Sequence, residues 1–324
     1  MRRFTLPPLL LAWVALLAGA PSHAQGEFPV RPITLVVGYP PGGSTDLTAR
    51  TVAADLARRL GQPVVVENIG GAGGTLGAQK VSQAAADGYT LLLGANNEMA
   101  IARLVNPAVR YDALRDFTPI GLIGSQPMVL VASNRSGVKD IGQFIELVKK
   151  NPGRFSYGSS GVGTALHLAG EMVKQAAGLF VVHIPYRGVA PLTNDLVGGQ
   201  LEFGVFVLSS GLPHIRSGRV VALGTTEARR SQAAPDIPAL AEHPALKGVD
   251  ISSWFGLWAP PNLPAALALR LQKTLAEALA APELRKKLED VGTTMAPAGA
   301  ELAAFQAGEI EKYRRIVDFA KIRE

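Results

Sequence analysis

Short runs of aliphatic and β-branched residues alternate with longer stretches whose apolar positions recur every three or four residues, starting at Arg31. Ile33-Thr34-Leu35-Val36-Val37 reads as a buried strand. Beyond it Val52, Leu56 and Leu60 stand at i, i+4 and i+8, with Thr45 and Asp46 as candidate caps and Gly61 as the stop, which predicts a helix. Val64-Val65-Val66 is a second strand, Gly70-Gly71-Ala72-Gly73-Gly74 opens a second helix, and Asp87-Gly88 turns the chain into strand Tyr89 to Leu93. Strand, helix, strand, helix, strand with short connections is the pattern of a parallel sheet covered by helices.

The pattern restarts after Asp116-Phe117-Thr118-Pro119. Pro127 to Ala132 is strand-like, Asp140 to Lys150 helical, and Asn151-Pro152-Gly153 a stop. Strand Phe155 to Tyr157, a glycine-rich loop, a helix to about Ala177 and strand Phe180 to Ile184 follow, and the alternation continues to Val220-Val221-Ala222-Leu223. Ala233 to Pro244 reads as a linker; after Trp254-Phe255-Gly256-Leu257-Trp258 the chain is mainly helical, with Pro264, Pro282 and Pro297 marking segment starts. The late strand and helices have no partner sheet nearby in sequence and are expected to complete the first domain. The expected fold class is α/β with two lobes: residues 25–124 with about 235–324 in one, 125–234 in the other.

Composition changes this picture at the N-terminus. Arg2 and Arg3 precede the apolar stretch Leu9 to Ala20, and Ser22-His23-Ala24 has the small residues of a cleavage site, the layout of a secretory signal peptide removed after Ala24. The stretch is short for a membrane span, so a soluble, exported, periplasmic protein is expected. Cleavage would remove Arg2 and Arg3 and lower the formal charge from +6 to +4. The remaining charges are scattered, and no basic stripe alternates with aromatics, so nucleic acid is not an expected partner. The chain has no cysteine, which excludes thiol catalysis, iron–sulfur clusters and cysteine-ligated zinc and leaves stability to the apolar core.

Two loops carry the candidate chemistry: Tyr39-Pro40-Pro41-Gly42-Gly43-Ser44-Thr45-Asp46 and Gly158-Ser159-Ser160-Gly161-Val162-Gly163-Thr164. Each follows a strand and opens a helix, where unpaired amides and a partial positive charge favour an anion and glycine allows close backbone approach. Two lobes would bring both loops to one cleft. The amides of Gly42 to Thr45 and Gly161 to Thr164, with the hydroxyls of Ser44, Thr45, Ser159, Ser160 and Thr164, can surround a carboxylate. The competing reading is that Thr45, Asp46 or Thr164 simply caps its own helix, and for Asp46 capping is preferred because a carboxylate repels an anion. Tyr186 and Arg187 follow strand Phe180 to Ile184 and are placed near the same rim, Arg187 either meeting a carboxylate or forming a surface ion pair.

Enzyme signatures are missing. The chain has no G-x-x-x-x-G-K-[ST] loop and no H-E-x-x-H, and Val162 stands where a G-x-S-x-G elbow around Ser160 needs glycine. His167, in the first turn of a predicted helix, either reaches the cleft or is a buried structural histidine. An exported hydrolase using Ser159 or Ser160 with His167 is the catalytic alternative; otherwise no enzyme, cofactor or metal is expected.

Further stretches carry a resemblance. Arg31-Pro32-Ile33, Pro40 to Asp46, Gly61 to Asn68, Gly71-Ala72-Gly73-Gly74, Asp87 to Leu92, Tyr157-Gly158-Ser159, His167-Leu168-Ala169, His183 to Gly188 and Trp254-Phe255-Gly256 occur in order. Together they resemble the periplasmic solute-binding proteins of tripartite tricarboxylate transporters, the Bug or TctC family. The resemblance implies a type II, Venus-flytrap fold that closes on a small organic carboxylate, with Tyr39, Gly42, Gly43, Ser44, Thr45 and Asp46 on one side. Ser159, Ser160, Gly161, Gly163 and Thr164 of the second loop then close from the other, and His167, Tyr186, Arg187 and Phe206 complete the candidate site read from the residues themselves. It implies a monomer that works with membrane transporter subunits, or alternatively a ligand-sensing partner of a membrane-bound regulator. At Phe203-Gly204-Val205-Phe206-Val207 the chain lacks an aspartate common in the family, which disfavours an amino-bearing ligand and favours an aromatic or plain carboxylate.

Overall fold

A single long strand organises the molecule. In the computed structural model, which describes residues 28–323, strand β4 follows β1 (Ile33–Val37), α1 (Ser44–Leu60), β2 (Val64–Asn68), α2 (Thr75–Ser82), β3 (Thr90–Ala95) and α3 (Ala102–Val105), and runs for 16 residues, Thr118–Ser133. Then come α4 (Ile141–Lys150), β5 (Ser156–Ser159), α5 (Ala165–Ala177), β6 (Val182–Pro185), α6 (Val189–Gly198), β7 (Phe203–Val207), α7 (Leu208–Arg216) and β8 (Val220–Thr225). The chain ends with β9 (Ser252–Ala259), α8 (Ala265–Ala280), α9 (Pro282–Glu289), β10 (Thr294–Met295) and α10 (Leu302–Ala320). The apolar stretch read as a leader lies outside the described residues.

The first half of β4, up to Pro127, pairs with β9 in a sheet ordered β2-β1-β3-β9-β4. The second half, from Met128, pairs with β7 and β8 in a sheet that continues through β5 to β6. As expected, β1, β2 and β3 are parallel, as are β5, β6 and β7. The central pairings are antiparallel, since β9 inserts between β3 and β4 in the first sheet and β4 itself pairs with β7 and β8 in the second, so each sheet is mixed. The strand pattern at Pro127 to Ala132 captured only half of β4. Pro119 lacks an amide, and two register shifts bracket Gly121 and Gly124, which breaks the alternation that would have announced the first half. A side chain at Gly124 would place its Cβ 2.4 Å from the Thr294 carbonyl of β10, so glycine is required there.

The core follows from the apolar spacing. Ile33, Leu35, Val36, Val52, Leu56 and Leu91 to Leu93 are buried, with Trp254 and Trp258 of β9 beside them. Helix α10 is tied across this sheet by polar side chains: Gln306 donates to the Met99 carbonyl at 2.7 Å, and Trp254 donates to Glu309 at 3.0 Å. The end of β3 runs into a π-helix, Asn97–Ile101, that α10 covers. A second apolar cluster, with Val129, Val131, Leu192, Leu196 and Phe206, lies on one face of the other sheet.

The two crossings between the sheets meet at Thr226. Its hydroxyl donates to the Ile251 carbonyl at 2.6 Å and accepts from the Met128 amide at 3.0 Å. Its backbone amide donates to the Met128 carbonyl at 2.9 Å, and its carbonyl accepts from the Ile251 amide at 2.9 Å. Thr226 is 1 % exposed, so removing the hydroxyl strands two backbone groups away from water. Thr226→Val is expected to cost about 1–3 kcal/mol. For a chain of this size that lowers Tm by roughly 2–10 °C in a thermal melt, and an unchanged Tm would show that the crossing does not depend on this hydroxyl.

Candidate functional site

The loop after β1 is built to leave its helix uncapped. Gly42 has φ +88°, which turns its amide onto Asp46 Oδ2 at 2.9 Å. Asp46 is 2 % exposed and also accepts from Asn68 Nδ2 (2.9 Å) and Arg50 (2.9 Å). Burial alone would raise its pKa, but the hydrogen bonds from Arg50, Gly42 and Asn68 hold it below the usual carboxylate value. Asn68 donates in addition to the Tyr39 carbonyl at 2.9 Å. Asp46 therefore braces the loop from behind, and the structure places it away from the cleft and from its own helix amides. With no side-chain cap on α1, the amides of Ser44 and Thr45 have no protein acceptor among the described residues.

The loop after β5 treats its helix differently. Thr164 is the N-cap of α5; its hydroxyl accepts from the His167 amide at 3.4 Å and donates to the Gly161 carbonyl at 2.9 Å. The Ala165 amide donates to Asn97 Oδ1 of the π-helix at 2.7 Å, a contact between the two sheets' elements. The Gly163 amide donates to His167 Nδ1 at 3.0 Å. Most donors of this helix end are thus engaged by protein.

Below it lies a buried polar cluster that sequence reasoning did not assemble. Ser159 is fully buried; its hydroxyl donates to the Gly161 carbonyl (3.0 Å) and shares a 2.7 Å hydrogen bond with His183 Nε2. His183 stacks on His167 with ring centroids 3.8 Å apart, and Glu171 receives Tyr157 Oη at 2.8 Å and Lys174 Nζ at 2.6 Å. Burial, then the nearby His167, pulls His183 down to about 3, so it is neutral at neutral pH. Burial works against Glu171 ionising, yet hydrogen bonds from His167, Lys174 and Tyr157 bring it to about 2. The pairing with His167 that the hydrolase alternative needs is not formed: Ser159 meets His183, and His167 offers its nitrogens to Gly163 and Glu171.

Between the loops is a cavity of about 60 Å³ bordered by Tyr39, Pro40, Gly43, Ser44, Thr45, Asn97, Ser160, Leu166, Arg187, Gly188, Val189 and Val207. Of the residues expected from sequence, Tyr39, Gly43, Ser44, Thr45, Ser160 and Arg187 border it. Gly42, Asp46, Ser159, Gly161 and His167 stand behind the loops that form it, and Gly163 and Thr164 border a smaller adjoining space of about 30 Å³. Tyr186 donates to Asp195 at 2.7 Å and packs with the second apolar cluster. Phe206 is wholly buried in that cluster, and its neighbour Val207 borders the cavity instead, because alternate residues of β7 face opposite sides. Arg187 is exposed at the rim and has no ion pair among the described residues. Asn97 was missed because nothing in Asn96-Asn97-Glu98 announces a π-helix.

A larger groove of about 440 Å³ lies between α8 and residues 295–303. It is lined mainly by Pro, Ala, Leu and Ile, and its Arg285 is already paired with Glu289, so it lacks a free anion-binding group.

A family model described as the tripartite tricarboxylate transporter family receptor matches residues 48–321. Protein BugT of Bordetella pertussis is 34% identical over 302 residues, which cover 92% of this chain and 91% of that protein. The solved structure of R. palustris Rpa4515 with adipate superposes with a TM-score of 0.88 at 30% identity, covering 91% of this chain and 99% of that one. MatC from Rhodopseudomonas palustris with bound malate superposes at 0.83 with 31% identity, covering 90% and 100%. The fold is therefore the two-lobed one of periplasmic binding proteins. Among the described residues no helix is long and apolar enough to cross a membrane, and no group of acidic, histidine or cysteine side chains is placed to hold a metal.

The buried cluster sets an acid limit on stability. Glu171 titrates lower in the folded chain than in the unfolded one, so its contribution is complete above about pH 4.5 and is lost as pH falls toward about 2. His183 binds a proton near pH 6.5 when unfolded but only near pH 3 when folded, so it too favours unfolding as pH drops through that window. Relative to the wild type, His183→Asn is expected to lose less Tm between about pH 6.5 and pH 3, because the proton that His183 takes up on unfolding is gone. Identical pH profiles for the two proteins would contradict the neutral, half-buried His183.

Proposed function

The chain belongs to the tripartite tricarboxylate transporter receptor family, and we propose that its carboxylate-binding cleft grips the ligand chiefly through the bare N-terminus of α1. It is a periplasmic carboxylate-binding protein of two-lobed fold. The observation that carries the assignment is the contrast between the two helix ends. At α1 the Ser44 and Thr45 amides and hydroxyls have no protein partner among the described residues and border the cavity, whereas at α5 the N-cap and the Asn97 contact occupy most of the donors. One carboxylate oxygen pair then sits on α1, Ser160 closes over it from the other lobe, and the unpaired Arg187 receives the far end of the ligand. A charged acceptor makes each such hydrogen bond contribute roughly 1.5–3 kcal/mol, which is the right order for micromolar binding from three or four contacts after the cost of association.

A cavity of about 60 Å³ has room for about two waters at their liquid volume, which suits a compact acid. Arg187 at the rim favours a second anionic or polar group over an amine, and the two solved neighbours hold adipate and malate. The partner is a membrane transporter of the tripartite type, to which the closed protein delivers the acid. Catalysis finds no support: Ser159 is buried in its own loop, and no serine is paired with an accessible base among the described residues. The lobe boundaries lie at Pro127/Met128 and Ile251/Ser252, where β4 changes sheets and the chain returns. This keeps residues 226–251 with the second lobe, where Ala239 bridges Thr225.

The test is a thermal-shift and calorimetric panel of mono-, di- and tricarboxylates, aromatic acids and amino acids. A matching acid at about 100 times its Kd stabilises the protein by about 2.7 kcal/mol. Gly43 has an ordinary negative φ of −80°, and no atom lies within 4 Å of the position a Cβ would take. Gly43→Val therefore fits the backbone and fills the cleft, and is expected to abolish the shift while leaving the unliganded Tm within about 2 °C. A variant that binds as well as the wild type would exclude α1 as the anchor, and an unresponsive panel would exclude the carboxylate reading.

A further inference from the structure

Glu98 is a buried acid outside the anion site, on the π-helix between the lobes. It is 2 % exposed, and its Oε1 accepts from the Ala95 amide at 2.7 Å. Its Oε2 lies 2.5 Å from Tyr39 Oη, which also lies 2.9 Å from the Gly73 carbonyl and accepts from Asn97 Nδ2 at 2.9 Å. The same Asn97 amide accepts through Oδ1 from the Ala165 amide of the opposite lobe at 2.7 Å.

Counting protons decides the state of this cluster. A phenol has one proton, yet Tyr39 Oη faces two acceptors, the Gly73 carbonyl and the Glu98 carboxyl. With an un-ionised Glu98 every group is satisfied: the acid donates to Tyr39, Tyr39 donates to Gly73, and Asn97 donates to Tyr39 while accepting from Ala165. With an ionised Glu98 the Gly73 carbonyl loses its donor, and a buried charge is left with hydrogen bonds from Tyr39, the Ala95 amide and its own backbone amide but no cation. The groups that face Glu98 from neighbouring elements agree. Tyr39 and Tyr111 are phenols, the latter donating to the Glu98 carbonyl at 2.7 Å. On α10, Gln306 is engaged with Met99 and Glu309 with Trp254; on α3, Arg103 is paired with Asp112 at 2.7 Å, away from Glu98. Burial, opposed by the hydrogen bonds from Tyr39 and Ala95, pushes the Glu98 carboxyl up to about 7.

We propose that Asn97 is a latch between the lobes and that Glu98, carried as an un-ionised acid, is the positioning residue behind it, so that the closed form holds one proton more than the open form. The roof over Glu98 is Tyr39 with the Gly73-Gly74 turn: a Cβ at Gly74 would stand 2.7 Å from Glu98 Oε2. The outer side of that roof is covered by the second lobe, where Thr164 Cγ2 lies 3.9 Å from the Cβ position of Gly73. Separating the lobes uncovers the roof and gives an ionised Glu98 its route to water. The linkage sign follows: the closed form binds the proton more tightly, so raising pH through about 7 shifts the balance toward the open form. The inference rests on the two-lobed hinge reading and on no particular ligand.

Ala165 is the first residue of α5, so no carbonyl of that helix accepts from its amide, and its protection from hydrogen exchange reports the contact with Asn97. Exchange is measured without ligand at about pH 6 and about pH 8.5, corrected for the intrinsic rate, with core amides of β3 and β7 as the control for folding. The wild type is expected to protect Ala165 at the lower pH and to lose about fivefold of that protection at the higher one. Asn97→Ala is expected to lose about tenfold at both, and Glu98→Gln, which keeps a neutral donor, to lose the pH response. Tyr39→Phe provides a second route: it breaks the relay without changing side-chain volume at the core and is expected to lower Ala165 protection alone. The infrared band of buried protonated carboxyls is expected at the lower pH and weakened in Glu98→Gln, Glu227, which burial also raises to about 7, supplying the remainder. Equal protection in Asn97→Ala and wild type would overturn the latch. A pH response that persists in Glu98→Gln, or an ionised Glu98 at the lower pH, would overturn its role. Because no ligand is present, such a failure leaves the carboxylate reading standing, and an unresponsive carboxylate panel leaves this result untouched.

Discussion

An α-helix begins with amides that its own carbonyls cannot reach, and much of this molecule's design follows from how two such helix starts are treated. At α1 the obvious internal acceptor, Asp46, is turned away and tied down by Gly42, Asn68 and Arg50. That brace fixes the loop without neutralising it. It also removes a negative charge from the side where an anion would sit, by enclosing it with the Arg50 cation and the amides of Gly42 and Asn68. At α5 the reverse holds, since Thr164 and Asn97 satisfy the first turn and the helix is pinned by protein. One lobe therefore presents an unsatisfied electrostatic demand and the other a mostly satisfied wall. Closure under these conditions is favoured when a ligand satisfies the first and touches the second.

The hinge side of the molecule obeys the same rule of satisfied backbone. Strand β4 cannot serve two sheets without a place where its pairing changes hands, and that place is Gln126-Pro127-Met128. Pro127 has no amide to lose, and Thr226 supplies a hydroxyl that both donates and accepts where the two crossings come together. A crossing built from a proline and one doubly bonded threonine keeps its backbone groups paired, while the side-chain oxygens of Gln126 and Thr225 beside it are buried without a partner among the described residues.

The parts of this fold that depend on local spacing were legible in the chain. β1, α1, β2 and β3 follow from β-branched runs and i, i+4 recurrence, and both glycine loops were placed on strand ends before helices. What required tertiary structure stayed hidden. The insertion of β9 between β3 and β4 is a pairing across roughly 130–160 residues, and no local pattern encodes it. The first half of β4 was masked by Pro119, Gly121 and Gly124, residues that usually end a strand and here mark irregular register. Of the candidate site, the side chains of Tyr39, Ser44, Thr45, Ser160 and Arg187 do meet at one cavity. Phe206 does not, because the parity of β7 turns it to the core and Val207 to the cleft. Ser159 was read with His167, in the first turn of the next helix, but meets His183 one strand away. Glu98 and Asn97 had no signal in sequence, since a polar pair in an apolar surrounding reads as surface until its burial is seen.

The magnitudes separate what closes the lobes from what tunes them. The direct contact between Asn97 and Ala165 is one neutral hydrogen bond, a net contribution of about 1 kcal/mol, or roughly a fivefold bias toward closure. Moving a two-state balance from 1:99 to 99:1 needs about 5.5 kcal/mol, so the latch cannot close the molecule unaided. In the proposed binding mode, several charge-assisted hydrogen bonds from the Ser44 and Thr45 end of α1, shared with the opposite lobe, would supply that amount at roughly 1.5–3 kcal/mol each. The latch is better suited to adjusting the balance than to setting it, since it adds to the ligand's contribution when the proton on Glu98 is present and adds less when it is absent. A receptor that must release its acid as well as catch it is served by a closing force that comes mostly from the ligand, with the protein's own contact small enough to be reversed.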